Sequence, residues 1–444
     1  MKNILIIGAG LSSSTMISYL LDKSGEYGWS IVVADVNKSV AESKIDNHPN
    51  AKAVEFDIHS DLALTKLVSE NDIIVSMLPS RFHPLVAEEC LKQKKHMFTA
   101  SYVSPQMRAY DDEAKEKDLL FLNECGVDPG IDHMSAMKVI DDIRNKGGKI
   151  ISFESNTGGL IAPEYDNNPW NYKFTWNARN VILAGQGTAC FRHNNKLKYI
   201  PYNRLFERTS RMSVLDYGEF DVYANRDSLM YQEIYGIEDA ETIFRGTFRR
   251  PGYCEAYNVF IQLGLTDDTY EMENAEKLTN RSYLAAFLPE PNGGELEDVL
   301  CRYMNLDRNG EVFRKIEWLG LFEEKKISKG KHTPAQILQS IIEPKWTLDE
   351  GDLDMIVMQH RFVYELNGKR FKRLSSMIVI GKDTVDTAMS ITVGMPVAFA
   401  IEEFLNGKFS VRGVQVPVIP ELYEPILEKL SPFGVEFIEE EFEL

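Results

Sequence analysis

From the first residues to about 125 the chain repeats one pattern: a short run of β-branched and apolar residues, a turn, then apolar positions at helical spacing. The pattern predicts strands at 3–7, 30–34, 53–56, 72–77, 96–99 and 119–123, with amphipathic helices such as 16–23, 62–68 and 85–92 between them. Six strands alternating with helices predict an α/β fold built on a doubly wound parallel sheet. The Ile- and Val-rich runs lack inside–outside alternation, as expected of strands covered by helices on both faces.

After Gly130 a helix is expected over 133–144, ending at Gly147-Gly148, and a second domain begins near there. Strand-like runs at 149–154 and 253–263, aromatic-rich segments and long loops give it an α+β character. The stretch from about 268 to 345 is helix-rich, interrupted by the polar run 289–294, and reads as a small helical subdomain. Runs at 355–364 and 370–380 flank Asn367-Gly368, a pair that tolerates positive φ and suits a tight hairpin. A last apolar helix, 388–405, stops at Asn406-Gly407. The expected organisation is a first domain of 1–130 completed by 385–444, a second of 131–267 with 346–384, and the helical subdomain 268–345.

Composition narrows the function classes. At 44% hydrophobic and 11% aromatic residues, the chain has enough apolar surface to exclude intrinsic disorder. The 49 Lys and Arg against 67 Asp and Glu leave a net charge of −18, which repels polyanions and argues against duplex nucleic acid or anionic membranes as partners. An anionic substrate must then meet a locally basic site. The first apolar run, 4–7, is cut short by Gly8, too early for a signal peptide or membrane span. Cysteines at 90, 125, 190, 254 and 301 show neither CxxC nor Cys/His spacing, so no disulfide framework and no metal site are expected, and a reducing cytoplasm is the expected location.

Gly8-Ala9-Gly10-Leu11-Ser12-Ser13 follows the first strand and opens a helix. In that setting Gly8 makes the tight turn, Gly10 lets the backbone approach a pyrophosphate, and the helix N–H groups bind the anion. Ser13 stands where a third glycine is usual and is small enough for close helix packing. Asp35 ends the second strand about 20 residues beyond the loop, where an acidic side chain accepts from the adenosine ribose hydroxyls. A carboxylate there repels a 2′-phosphate, so NAD is expected in preference to NADP, unless Lys38 swings in. Asp57, after the third strand, is placed for the adenine edge. Methyltransferases share the glycine loop and the acidic residue, but Ser76-Met77-Leu78-Pro79 and the second mononucleotide-like half that follows favour a dinucleotide.

Two longer segments carry a family pattern. Thr99-Ala100-Ser101-Tyr102-Val103-Ser104-Pro105 and Asn123-Glu124-Cys125-Gly126-Val127-Asp128-Pro129-Gly130-Ile131-Asp132-His133 resemble the signature segments of the glutamate-forming saccharopine dehydrogenases, also called saccharopine reductases. Gly158-Gly159-Leu160, Tyr172-Lys173-Phe174-Thr175-Trp176, Asn225-Arg226-Asp227-Ser228, Arg245-Gly246-Thr247 and Trp318-Leu319-Gly320 extend the resemblance nearly end to end. It implies a Rossmann domain completed by C-terminal helices, an α+β domain for substrate binding and homodimer formation, and a small helical domain. The implied reaction oxidises saccharopine beside its secondary amine to an imine, which water splits into glutamate and aminoadipate semialdehyde, or runs in reverse.

The resemblance places Ser101, Tyr102, Asp128, Arg226, Arg245, Gly246 and Thr247 around the amino-acid substrate, and Gly8, Gly10, Leu11, Ser12, Asp35, Asp57, Leu78, Val127 and Trp176 around the dinucleotide. The chemistry fits: saccharopine carries three carboxylates, and Arg226 and Arg245 suit bidentate clamps. Tyr102 and Asp128 are the candidate acid–base pair. Two positions depart from the family. Asp35-Val36-Asn37 replaces the basic residue of fungal NADP-dependent members, and Thr157 stands where the family has a cysteine. Taken without the family, Asp128-Pro129-Gly130 is a turn sequence, His83 and His133 read as capping or surface histidines, and Trp170 and Trp176 as packing aromatics with one face on the cofactor cleft. A carboxynorspermidine dehydrogenase-like reductase and an inactive dinucleotide-binding sensor or scaffold are the competing functions.

Overall fold

The unalternating apolar runs form one parallel sheet: β1 (Lys2–Ile7), β2 (Trp29–Asp35), β3 (Ala51–Glu55), β4 (Ile73–Ser76), β5 (His96–Phe98) and β6 (Leu120–Leu122). Their order is β6-β5-β4-β1-β2-β3, and a seventh strand, Gly413–Gln415, joins in parallel beside β6. Ile4, Leu5, Ile6, Ile7, Ile73, Ile74 and Val75 are sealed from solvent, because helices cover both faces. The order reverses between β1 and β4, the point at which doubly wound sheets open a crevice at their carboxyl edge. The computed structural model describes residues 2–184, 186–290 and 294–444, and the chain divides into two units, the first being Met1–Gly148 with Met377–Ile438.

Within this unit the C-terminal helix Ala388–Leu405 lies on the first helix, Ser14–Tyr27. The approach is close: a Cβ on Gly394 would come to 3.0 Å of both the Met16 Cβ and the Ser12 carbonyl. Ser390 Oγ accepts the backbone N–H of Thr15 at 2.9 Å, so a residue from the far end of the chain satisfies a donor that the first turn of the helix leaves open. Ala388–Leu405 is apolar enough by length and composition to cross a membrane, yet 83% of it is buried inside the protein. The helix after Gly130, Ile131–Asn145, lies in this first unit rather than opening the second.

The second unit, Lys149–Ser376 with Glu439–Leu444, is built on a nine-stranded mixed sheet. Its strands are β7 (Lys149–Ile161), β8 (Ala189–His193), β9 (Lys196–Ile200), β10 (Ser210–Ser213), β11 (Glu219–Ala224), β12 (Thr242–Arg249), β13 (Asp354–Leu366), β14 (Lys369–Ile380) and the C-terminal strand Ile438–Glu443. The main path runs β10-β11-β12-β7-β13-β14 to the C-terminal strand, with β12 parallel to β7 and the neighbours β11 and β13 antiparallel. Asn367 and Gly368 turn the β13–β14 hairpin with φ of 53° and 78°, the conformation expected for that pair. Helices Leu296–Met304, Glu311–Trp318 and Pro334–Trp346 fill the helix-rich stretch. Residues 291–293 of the polar run 289–294 lie outside the described residues.

One element differs from expectation. The run 253–263, read as a strand from its aromatic and β-branched content, is the helix Tyr253–Leu263. Its polar residues, Glu255, Asn258 and Gln262, fall on one helical stripe and leave Tyr253, Tyr257 and Phe260 buried on the other side. Gly252 and Gly264, both at positive φ, close its ends.

Two histidines of the first unit, one opening the helix His83–Gln93 and one in β5, are held neutral by burial. His83, 1% exposed, sets Nδ1 2.8 Å from Ser76 Oγ and Nε2 3.4 Å from Thr99 Oγ1, joining the ends of β4 and β5. His96 accepts the Leu120 N–H at 3.0 Å and packs on Phe404. Burial lowers both from 6.5 to about 4. Between pH 6.5 and 4 the unfolded chain therefore binds protons that the folded chain refuses, and stability falls as pH drops through this window. Each such histidine contributes a slope of up to about 1.4 kcal/mol per pH unit. Denaturant midpoints measured from pH 7 to 4 should fall more gently for His83→Gln than for wild type; parallel curves would mean that His83 protonates freely in the folded protein.

Candidate active site

The loop after β1 is fixed by its contacts with neighbouring strands. Gly8 has φ of 102°, and a Cβ there would press to 3.0 Å on the Met77 carbonyl group at the end of β4, so both backbone shape and space call for glycine. Its N–H donates to Ala34 of β2 at 2.8 Å, and the Met77 N–H donates to Ile7 at 2.8 Å. At Gly10 a Cβ would meet nothing within 4 Å, so the protein leaves open space where the fingerprint expects a pyrophosphate. A 3₁₀ turn, Leu11–Ser13, follows, with Leu11 70% exposed, and Ser13 Oγ donates back to the Gly10 carbonyl at 2.8 Å.

Asp35 has a part that sequence reasoning missed. Oδ2 accepts the N–H of Ala9 at 2.8 Å and Oδ1 that of Asn37 at 2.9 Å, so the carboxylate ties the glycine loop to the end of β2. Each oxygen keeps a second acceptor site for a ribose hydroxyl. Asp57, exposed after β3, accepts the His59 N–H at 3.0 Å, and Leu78, after β4, packs partly against the core. The loop, with Ser12, and the side chains of Asp35, Asp57 and Leu78 thus follow neighbouring strands at the carboxyl edge of one sheet.

The ends of β5 and β6 bring the proposed acid–base pair together. Tyr102, 37% exposed, donates its hydroxyl to Asp128 Oδ1 at 3.0 Å. The loops that carry them are closely packed and hydrogen-bonded. Asp128-Pro129 is a cis peptide bond, and Gly130, at φ of 147°, lies so close to Gly126 that a Cβ would fall 2.1 Å from the Gly126 carbonyl oxygen. The Gly126 N–H donates to Pro129 at 2.8 Å and the Asp132 N–H to Val127 at 3.0 Å, closing a tight knot around Asp128. Glu124, 2% exposed and at φ of 56°, accepts the Val103 N–H through Oε1 at 2.9 Å and sets Oε2 2.6 Å from His133 Nε2. Its own N–H donates to the Ser101 carbonyl at 3.1 Å. Neither His133 nor His83 is a surface residue: both are buried and join elements at this edge, and His83 also caps the 3₁₀ turn Ser80–Phe82. The signal for the Glu124–His133 pair was already in the second signature segment, which contains both residues.

The second unit carries the other group. Arg245, 5% exposed, lies in β12 with its guanidinium carbon 4.1 Å from the centroid of the Tyr231 ring, and its N–H donates to Ser228 Oγ at 2.9 Å. The Asn225 N–H donates to the Arg245 carbonyl at 2.8 Å, which sets the Arg226 turn beside it. Arg226 is exposed and has φ of 35°, unusual for a side chain of its size, with its carbonyl held by the Cys190 N–H at 2.8 Å. Gly246 leaves no room for a Cβ, which would lie 2.3 Å from Asn156 Oδ1, and Thr247 pairs with Thr157 and Tyr223 across the sheet. Trp176 is 42% exposed. Trp170 has no free face: it is wholly buried, with Nε1 donating to the Lys315 carbonyl at 2.7 Å, because it is the centre of an aromatic cluster with Tyr253, Phe260 and Trp346.

Similarity to known proteins covers both units. Residues 4–122 match the saccharopine dehydrogenase NADP binding domain, and residues 126–435 match the saccharopine dehydrogenase C-terminal domain. The chain is 34% identical to the saccharopine dehydrogenase [NADP(+), L-glutamate-forming] of Schizosaccharomyces pombe over 99% of both chains. It is 33% identical to the alpha-aminoadipic semialdehyde synthase of Arabidopsis thaliana, covering 92% of this chain and 40% of that longer one. The apo saccharopine dehydrogenase (L-Glu forming) of Saccharomyces cerevisiae superposes over the full length of both chains with a TM-score of 0.90 at 30% identity. With both of its units matched and the signature segments around Tyr102 and Asp128 in place, the chain belongs to the saccharopine dehydrogenase family.

Proposed function

We propose that the protein is a glutamate-forming saccharopine dehydrogenase of lysine metabolism, an oxidoreductase acting on a CH–NH bond. The observation that supports this most directly is the Tyr102–Asp128 hydrogen bond at the carboxyl edge of the nucleotide-binding sheet, in a chain similar to such enzymes from end to end. A nicotinamide cofactor supplies or accepts the hydride. The secondary amine must be neutral before its neighbouring carbon gives up hydride, and Asp128 is the group to take that proton. Tyr102, bonded to Asp128, orients the carboxylate and presents its hydroxyl to the amine or to the water that splits the imine. Arg226 and Arg245 hold carboxylates of the substrate, and a basic site of this kind is what an anion needs on a protein of net charge −18. The family resemblance also supports a homodimer formed through the α+β unit.

The finer question is the choice of dinucleotide. The fungal relatives are named for NADP(+), and the matching family domain is described as NADP binding. Asp35 supports NAD for this chain, since a carboxylate at the end of β2 disfavours a 2′-phosphate and each of its oxygens has an acceptor site to spare for a hydroxyl. We expect kcat/KM with NAD to exceed that with NADP by at least tenfold, about 1.4 kcal/mol in transition-state free energy. Steady-state kinetics with both cofactors check this directly, and a wild-type preference for NADP would reverse the reading of Asp35.

Substrate anchoring has a graded signature. Arg245→Ala should raise the KM for saccharopine more than Arg226→Ala, because Arg245 is 5% exposed and Arg226 stands in solvent, and both should leave the cofactor KM nearly unchanged. Equal losses for cofactor and substrate would point to a folding defect instead.

The acid–base pair is tested by pH profiles. Asp128→Asn should lower kcat by about 10²- to 10⁴-fold and change the pH dependence, with Tyr102→Phe losing less, since the tyrosine assists through the carboxylate. Full kcat and an unaltered profile in Asp128→Asn would leave Asp128 as a turn residue alone.

A further inference from the structure

Arg249, the last residue of β12, is buried without a counter-charge. It is 4% exposed; Nη1 donates to the Phe248 carbonyl at 2.8 Å, Nε has no hydrogen-bond partner, and no ion pair forms with a carboxylate among the described residues. Around the guanidinium stand the rings of Tyr172, Tyr253 and Tyr223, with centroids 5.1, 5.3 and 5.7 Å from its carbon. The acid opposite it in the sheet, Asp221, is already engaged by Arg211 Nε at 3.2 Å and by the Gly252 N–H at 3.1 Å. A guanidinium stays protonated in a protein, and aromatic faces offset only part of its lost hydration, so a buried arginine in this state calls for an anion.

The strand places Arg249 with the substrate group. Side chains alternate along β12, so Arg245, Thr247 and Arg249 share one face, and the register adds Ser155 and Thr157 from β7 and Tyr223 from β11. Two more polar atoms at or near that face are buried without a partner, Thr157 Oγ1 and the hydroxyl of Tyr172, whose ring lies against Arg249. Native proteins seldom leave such atoms unmatched unless water, an ion or a ligand completes them. Four residues of strand separate Arg249 from Arg245, about 13 Å, a span suited to a long molecule with carboxylates at both ends.

We propose that Arg249 seats a carboxylate of the amino-acid substrate, at the opposite end of the molecule from the one held by Arg245. Nε and Nη2 form the fork, and the Tyr172 hydroxyl is a further donor. Arg249 is then a specificity-determining residue, selecting substrates with an anionic group at each end over amines charged at one. The assignment rests on the saccharopine reading above.

The test uses the full-length protein and the variants Arg249→Met and Arg249→Lys. With saccharopine, Arg249→Met should raise KM by roughly 10- to 100-fold, the range for stranding a charged partner, with kcat changed less than threefold and the cofactor KM unchanged; Arg249→Lys should recover part of the loss. Three saccharopine analogues, each lacking one carboxylate, identify the contact: in Arg249→Met, and not in wild type, one of them should be used as well as saccharopine. The free variant should unfold no lower in temperature than wild type, because removing an uncompensated charge does not weaken a core. A lowered unfolding temperature with an unchanged KM would make Arg249 a packing residue and overturn the proposal, as would wild-type discrimination among all three analogues. If wild type fails to turn over saccharopine at all, the reaction assignment falls. The carboxylate seat is then judged by thermal protection with 2-aminoadipate and glutamate, which Arg249→Met must abolish for the proposal to stand.

Discussion

The turn at Gly8 is the constraint on which the first unit depends. The chain must leave β1, pass within van der Waals reach of the end of β4, and enter a helix whose N-terminus faces open space, all within a few residues. A positive φ at Gly8 makes this possible, and two strands then lock it, β2 through the Ala34 carbonyl and the Asp35 carboxylate, and β4 through its contact with Met77. Because the loop is braced on both sides, the helix behind it must lie at a fixed height over the sheet. That height is what the C-terminal helix reads, through the glycine contact at Gly394 and the hydroxyl of Ser390. The nucleotide-binding loop and the return of the chain from the far end are thus two consequences of one turn.

The same sheet edge shows how the loops of the candidate acid–base pair are held. Tyr102 and Asp128 come from different strand ends and meet through a hydrogen bond from the tyrosine hydroxyl to the carboxylate. Buried groups behind them hold their loops: Glu124 spans the two loops and reaches His133, while His83 joins the ends of β4 and β5. These groups lie away from solvent, where a hydrogen bond is stronger and its loss more damaging. The second unit uses aromatic surface for a similar purpose. Arg245 and Arg249 both lie against tyrosine rings, and at Arg249 these rings support the guanidinium without neutralising it, in a protein that is acidic overall.

Much of this was readable along the chain because it is local. Apolar runs without alternation mark β1 to β6, the Gly8–Ser13 loop follows from its place between strand and helix, and Asn367-Gly368 announces its hairpin. The run 253–263 reads as a strand because its aromatic and β-branched residues favour one, yet it is a helix, whose period the spacing of Glu255, Asn258 and Gln262 carries. The strand Gly413–Gln415 is too short to leave a pattern, and it exists because β6 offers it an edge.

The sequence by itself determined the alternation of strands and helices over the first 125 residues, the glycine turns and the two signature segments, since each depends on neighbours a few residues apart, and its composition set the excess of negative charge. Only the tertiary structure decided which polar groups lose contact with water. The neutral state of His83, the Glu124–His133 pair, the second duty of Asp35 in bracing the loop, and the isolation of Arg249 among tyrosines all depend on groups brought together by folding. Burial and the identity of a distant partner set the energy of a polar group, and neither is written in the residue's own stretch of chain.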